Sequence, residues 1–158
     1  MTKHFGYGSN LWIEQMDTRC PDNEPIGKGK LKGYRWIITE ERGYANIVEA
    51  KDDYVLGFVY EISATDEKEL DSKEGVSIGA YTKETMTIEV SGEKYECLVY
   101  IDRKNIVGGV GALQTIPRRC SVGCKCTYTD RINNGVKDSL SDEDSYVEKY
   151  IRKFIDAD

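Results

Sequence analysis

A chain of 158 residues with 39% hydrophobic and 32% charged side chains is long enough to close a core of its own. Its formal net charge of −6 argues against nucleic acid or an anionic membrane as the main partner, and no apolar run approaches the ~20 residues that cross a bilayer. No apolar leader follows Met1, so a cytoplasmic protein forming a single domain over residues 1–158 is expected.

Residues 3–9 predict a first strand, and residues 11–17 a short helix. Between them, Phe5-Gly6-Tyr7-Gly8-Ser9-Asn10-Leu11 reads as strand, glycine loop and helix start. Glycine lets the backbone approach a ligand, and amides at a helix start lack partners, so such a loop can hold a carboxylate or an oxyanion. By itself it fits a plain surface turn equally well. Arg19-Cys20-Pro21-Asp22-Asn23-Glu24-Pro25 is turn chemistry.

Residues 27–40 predict a long strand with Leu31, Tyr34, Trp36 and Ile38 as its apolar content, and Lys28, Lys30 and Lys32 at period two read as a solvated edge. Turns at residues 41–43 and 51–53 bound a strand over 44–49. Residues 54–62 are apolar on both faces, as a central strand requires, and Gly57 within them marks a bulge or a close backbone approach. Asp66 and Glu67 then suit the first turn of a short helix capped at Thr65 and ended by Gly75. Glu74 falls in its last turn, at the negative end of the helix dipole.

Met86, Ile88 and Val90 alternate with Thr85, Thr87 and Glu89, and after the turn Ser91-Gly92-Glu93 the residues Tyr95, Cys97, Val99 and Ile101 alternate with Glu96, Leu98 and Tyr100, predicting a hairpin. Residues 102–126 carry no periodicity and read as a long loop, with a role at the site or in a dimer contact. Thr127-x-x-Asp130 and Ser141-x-x-Asp144 fit helix caps, with Asn134-Gly135 as a stop between two helices. Tyr146, Val147, Tyr150, Ile151 and Phe154 share one face of the last helix and read as core. The expected fold class is α+β: a mixed, mainly antiparallel β-barrel with a short mid-chain helix and C-terminal helices.

Several catalytic motifs fail on inspection. Gly75-Val76-Ser77-Ile78-Gly79 has the G-x-S-x-G spacing of a serine nucleophile, but a helix precedes it, a strand follows, and the only histidine is His4. A cysteine nucleophile would depend on that same distant His4. Nucleotide-binding glycine motifs are incomplete. Cys120-x3-Cys124-x-Cys126 lacks the further ligand a zinc site needs, and the five cysteines are expected to be reduced, so neither metal nor cofactor is expected.

Glu74 is left as the chemistry-bearing group. The helix end disfavours its ionised form, and burial against Tyr81 or Phe58 would add to that, raising its pKa toward the range of a proton shuttle. Further blocks accompany it: Tyr7-Gly8-Ser9-Asn10-Leu11, Arg19-Cys20-Pro21, Gly33-Tyr34-Arg35, Gly43-Tyr44-Ala45-Asn46-Ile47-Val48, Gly57-x-Val59-Tyr60-Glu61-Ile62, Leu70-Asp71-x-x-Glu74-Gly75-Val76 and Gly79-Ala80-Tyr81. In this order and spacing they resemble the gamma-glutamyl cyclotransferase-like family.

The resemblance implies a cavity shared by the Tyr7, Gly8, Ser9, Asn10 and Leu11 loop and Glu74, with Tyr81 as a pocket tyrosine. Tyr128 stands where the family has another, though Cys124-Lys125 replaces the family's Pro-Ser pair ahead of it and the 102–127 segment is longer. The implied reaction is release of 5-oxoproline from a small γ-glutamyl amine or peptide, with Glu74 as base and then acid and without metal or cofactor. The alternative is a non-catalytic binding module on the same fold, which the altered loop would suit.

Overall fold

The computed structural model describes residues 1–109, 118–119 and 125–158. Its centre is a closed barrel of strand order β1-β3-β2-β4-β5, built from β1 (Thr2–Gly6), β2 (Glu24–Ile38), β3 (Ala45–Ile62), β4 (Thr82–Val90) and β5 (Glu93–Ile101). All neighbours are antiparallel except β1 and β5, which close the barrel in parallel through His4 and Leu98. The mixed, mainly antiparallel barrel expected from the alternating strands is therefore the observed architecture.

The strand pattern differs from expectation in one informative place. β3 runs unbroken through Lys51-Asp52-Asp53, where a turn was expected, yet its pairing with β2 shifts there from Lys32↔Tyr54 to Tyr34↔Glu49. Gly33, at φ 86°, absorbs the slip on the β2 side. The polar residues mark a register irregularity rather than a chain reversal. Nor is β2 an edge: it pairs with both β3 and β4, and Lys28 and Lys32 instead form ion pairs, with Asp142 at 2.9 Å and Glu89 at 3.2 Å. Gly57 does mark a close approach, since a Cβ there would lie 2.4 Å from the Gly6 carbonyl oxygen and 2.6 Å from the Phe5 ring.

A 3-10 turn (Ser9–Leu11) and helix α1 (Ile13–Arg19) follow β1, so the helix starts and ends later than the sequence suggests and takes in Arg19. Helix α2 (Ala64–Lys73) is capped by Ser63 rather than Thr65, because Ser63 and Asp66 bond each other's backbone amides in a reciprocal box. Gly75 ends it in the left-handed conformation at φ 66°. Within the segment read as loop, β6 (Arg118–Arg119) pairs with β7 (Lys125–Cys126), and Gly108 bridges Thr39 on the barrel. Cys120 and Cys124 lie outside the described residues.

Helix α3 (Tyr128–Ser139) uses the expected Thr127 and Asp130 capping box but runs straight through Asn134-Gly135. Gly135 is there for packing: a Cβ would lie 2.6 Å from the Leu11 Cβ. The second cap also fails, because α4 (Asp144–Tyr146) begins after Glu143 without a side-chain cap, then passes into a π-helical turn (Val147–Ile151). Tyr146, Val147, Tyr150 and Ile151 are buried with the barrel interior, as expected.

Candidate active site

One end of the barrel opens into a cavity of about 340 Å³. That volume suits a small polar metabolite. Its walls bring together Tyr7, Gly8, Ser9, Asn10, Glu74, Tyr81 and Tyr128, all of them singled out in the sequence. Leu11 stands apart, fully buried in the barrel core with its amide bonded to the Gly8 carbonyl at 3.1 Å.

The turn after β1 is held by its carbonyls. Trp36 Nε1 donates to Tyr7 O at 2.9 Å, Tyr60 Oη to Asn10 O at 2.9 Å and Ser139 Oγ to Leu11 O at 2.7 Å. Gly8 O and Ser9 O accept from the amides of Leu11 and Trp12, each at 3.1 Å. Every carbonyl from Tyr7 to Leu11 is engaged, whereas the amides of Ser9 and Asn10, which precede the first bond of the turn, meet no backbone acceptor among the described residues. A side chain at Gly8 would intrude: its Cβ would lie 2.9 Å from Ala45 Cβ and 3.4 Å from Tyr128 Oη.

Glu74 arrives from the other side. It is the C-cap residue of α2, its amide bonded to Leu70 O at 2.8 Å, so its carboxyl sits at the negative end of the helix. Burial raises its pKa above the ordinary carboxylate value, and the positive charge of Arg19 opposes that rise in part. A carboxyl with its proton affinity raised in this way is a better proton acceptor than a solvated one.

The tyrosines are neutral hydrogen-bonding walls. Tyr81 donates to Ala45 O at 2.6 Å, while Tyr128 accepts from Ala45 N at 3.0 Å, which leaves the Tyr128 O–H as a donor. Burial raises the pKa of Tyr7, Tyr81 and Tyr128 alike, so all stay protonated. Tyr7 donates to Tyr100 O at 2.6 Å.

Sequence reading missed the basic side of the cavity. Arg19, Arg42 and Arg131 line it, together with His4. Arg19 donates to Asn10 Oδ1 at 3.1 Å, and Asn10 Nδ2 lies 3.3 Å from His4 Nε2. His4 Nδ1 lies 3.3 Å from Leu98 O, a pure acceptor, so Nδ1 carries the proton and Nε2 accepts from Asn10. Burial lowers the His4 pKa to about 4, which keeps this tautomer neutral. Arg131 lies three residues after Tyr128, on the face of α3 that reaches the cavity.

Residues 4–114 match the family model described as Gamma-glutamyl cyclotransferase, AIG2-like. The chain belongs to that family. A bovine relative named gamma-glutamylcyclotransferase is 28% identical over 107 residues, covering 61% of this chain and 57% of its own length. The fold is shared with an uncharacterized protein from Homo sapiens, at a TM-score of 0.73 and 20% identity, over 99% of this chain and 89% of that one. A solved structure named gamma-glutamyl cyclotransferase superposes with a TM-score of 0.72 at 20% identity, over the same shares of the two chains. Within this gamma-glutamyl cyclotransferase, AIG2-like chain, the barrel mouth thus combines a carboxyl of raised proton affinity, a backbone turn whose Ser9 and Asn10 amides meet no backbone acceptor among the described residues, and a basic wall.

Proposed function

We propose that the protein is a cofactor-independent cyclotransferase that releases 5-oxoproline from a γ-glutamyl amine or peptide, with Glu74 as the catalytic residue. The observation that carries this reading is the Glu74 carboxyl, raised in pKa by burial, facing the turn at residues 8–10 across one cavity. Ionised Glu74 takes a proton from the substrate's α-ammonium. The freed amine attacks the γ-carbonyl carbon, forming the ring C–N bond. Collapse of the intermediate breaks the original amide C–N bond, and Glu74 hands the protons given up by the ring nitrogen to the departing amine. No net proton and no water are consumed.

The turn amides and the Tyr128 hydroxyl are suited to the substrate's α-carboxylate and to the oxyanion. Holding amine and carbonyl in contact supplies an effective molarity of roughly 10⁵ M or more, so a single carboxyl suffices as shuttle. The test is incubation with a panel of γ-glutamyl amino acids, peptides and amines, followed by detection of 5-oxoproline. The wild-type protein should form it and Glu74→Gln should not. No product from any compound, or undiminished product from the variant, overturns the reading.

A further inference from the structure

His4 stands where β1 closes the barrel, paired with Tyr60 of β3 and, in parallel, with Leu98 of β5. Its side chain is buried, and a polar ring there costs free energy unless its nitrogens are bonded. Nδ1 meets the Leu98 carbonyl and Nε2 accepts from Asn10 Nδ2, each at 3.3 Å. The charged groups that act on the ring are Arg19 of α1 and Glu67 of α2. The orientation of the Asn10 amide follows. Its Oδ1 receives two donors, Arg19 Nη1 at 3.1 Å and Gln15 Nε2 at 3.4 Å, which leaves Nδ2 directed at His4. Tyr60 Oη fixes the backbone of the same residue through the Asn10 carbonyl at 2.9 Å. A flipped amide would set its NH₂ against both donors and against no acceptor.

Arg19 is the far end of this chain of bonds. It lines the cavity with Glu74, and the two charges favour each other, while Arg131 of α3 disfavours the Arg19 cation. Arg42 and Lys73 are engaged elsewhere: Arg42 donates to the Ala80 carbonyl at 3.3 Å and lies 4.0 Å from Asp102, and Lys73 pairs with Glu69 at 3.6 Å. Tyr7, Tyr81, Tyr100 and Tyr128, which lie within electrostatic reach of Glu74, stay neutral. The ionisation of Glu74 therefore depends on where the Arg19 guanidinium is held. Resting on the function proposed above, we infer that His4 is a positioning residue: by fixing the Asn10 amide it holds the Arg19 guanidinium toward the Glu74 carboxyl, and so sets the pH at which Glu74 loses its proton and becomes a base.

His4→Leu removes the acceptor and keeps the bulk and the burial. Asn10 Nδ2 is then left without its partner, the amide is free to turn, and Arg19 loses an anchor. With γ-glutamyl-alanine as substrate, the acid limb of kcat/KM should move up by about one pH unit, the lower end of what an opposite charge within reach supplies. His4→Gln, which offers an acceptor oxygen at similar reach, should restore the wild-type limb. Arg19→Gln should move the limb at least as far as His4→Leu, and adding His4→Leu to Arg19→Gln should move it no further. A second route exists, because the His4 ring packs edge-on to Tyr100 at 5.6 Å and Tyr100 Oη is bonded to Asp71 of α2 at 2.7 Å. An effect carried that way would survive in the Arg19→Gln background. An unmoved limb in His4→Leu, or the same shift in both backgrounds, overturns the inference.

Carbon NMR titration of the isotopically labelled Glu74 carboxyl, assigned by its loss in Glu74→Gln, reads the same shift without turnover. A failed cyclotransferase assay and a failed positioning role are thereby told apart. Nitrogen NMR of the wild-type protein needs no variant, since His4 is the sole histidine of the chain and its tautomer is read directly. A proton on Nδ1 with Nε2 free to accept is expected, and a proton on Nε2 at neutral pH overturns the inference.

Discussion

The barrel interior and the barrel mouth are built on opposite terms. Inside, Phe5, Trp36, Ile47, Val55, Val59, Ile88 and Val99 pack only against one another and their apolar neighbours, and the indole N–H among them is bonded to Tyr7 O. At the mouth, burial disfavours ionising Glu74, burial and the neighbouring Arg131 charge disfavour the Arg19 cation, and the turn after β1 keeps its carbonyls bonded. The interior is finished when the chain folds. The mouth instead keeps charged groups facing a cavity, which is why stability and activity should respond to different substitutions.

Glu74→Gln should divide the two most sharply. Turnover should fall by about 10³-fold, the scale of a lost proton shuttle. Stability should move the other way at neutral pH. Because the folded-state pKa of Glu74 is raised, its contribution favours the fold at low pH and is lost as pH rises from the ordinary carboxylate range through the raised value. The glutamine variant has no such loss, so its urea midpoint should gain on the wild type across that window and then hold level. A gap independent of pH would show that the carboxyl is solvated and that the mouth imposes little cost on the fold.

His4 gives the reverse pH dependence. Its pKa is lowered from 6.5 to about 4, so the stability it contributes is full above pH 6.5 and is lost as pH falls through 4. The expected loss is roughly 3 kcal/mol at the acid limit, because each tenfold weakening of proton affinity is worth about 1.4 kcal/mol. Comparing urea unfolding of wild type and His4→Gln between pH 7 and pH 4 isolates this limb from the carboxylates they share. Parallel curves would place His4 outside the buried network that runs through Asn10 to Arg19.

Gly8→Ala probes the turn without touching a charge. The added Cβ would meet Ala45 at 2.9 Å, so the turn must shift by a few tenths of an ångström. Misplacing the amides should lower kcat/KM by about 10²-fold, with a small change in melting temperature. Unchanged activity would mean that the amides of Ser9 and Asn10 do not hold the substrate.

What the sequence made legible follows the same division. Period-two alternation located β4 and β5: β4 buries alternate residues from Met86 to Val90, while β5 is buried on both faces from Cys97 to Ile101. Glu74 and the loop at residues 7–10 stood out because a helix stop and paired glycines are local signals. Arg19 and Arg131 were not legible: their meaning depends on which helical face meets the cavity, and that is fixed by long-range packing, as of Gly135 against Leu11. Asn134-Gly135 looked like a helix stop for the same reason. Glycine serves turns and tight packing alike, and only the neighbour decides.

Thr127→Ala makes the finest cut, because Thr127 belongs to neither region and caps the helix that carries Tyr128 and Arg131. Its hydroxyl accepts from Asp130 N at 3.0 Å, and Asp130 Oδ2 accepts from Thr127 N at 2.8 Å, so the pair begins α3 immediately before Tyr128 and one turn before Arg131. Removing the cap should cost about 1 kcal/mol, read as a shift in urea midpoint. Tyr128 is still tied to Ala45 and α3 still packs through Gly135, so kcat/KM for γ-glutamyl-alanine should change by less than about threefold, against the ~10²-fold effects at the mouth itself. A larger loss of activity would mean that the start of α3 is held by its cap alone. In that case the basic wall would be a movable part of the site, and the boundary between finished core and unfinished mouth would run through the helix rather than beside it.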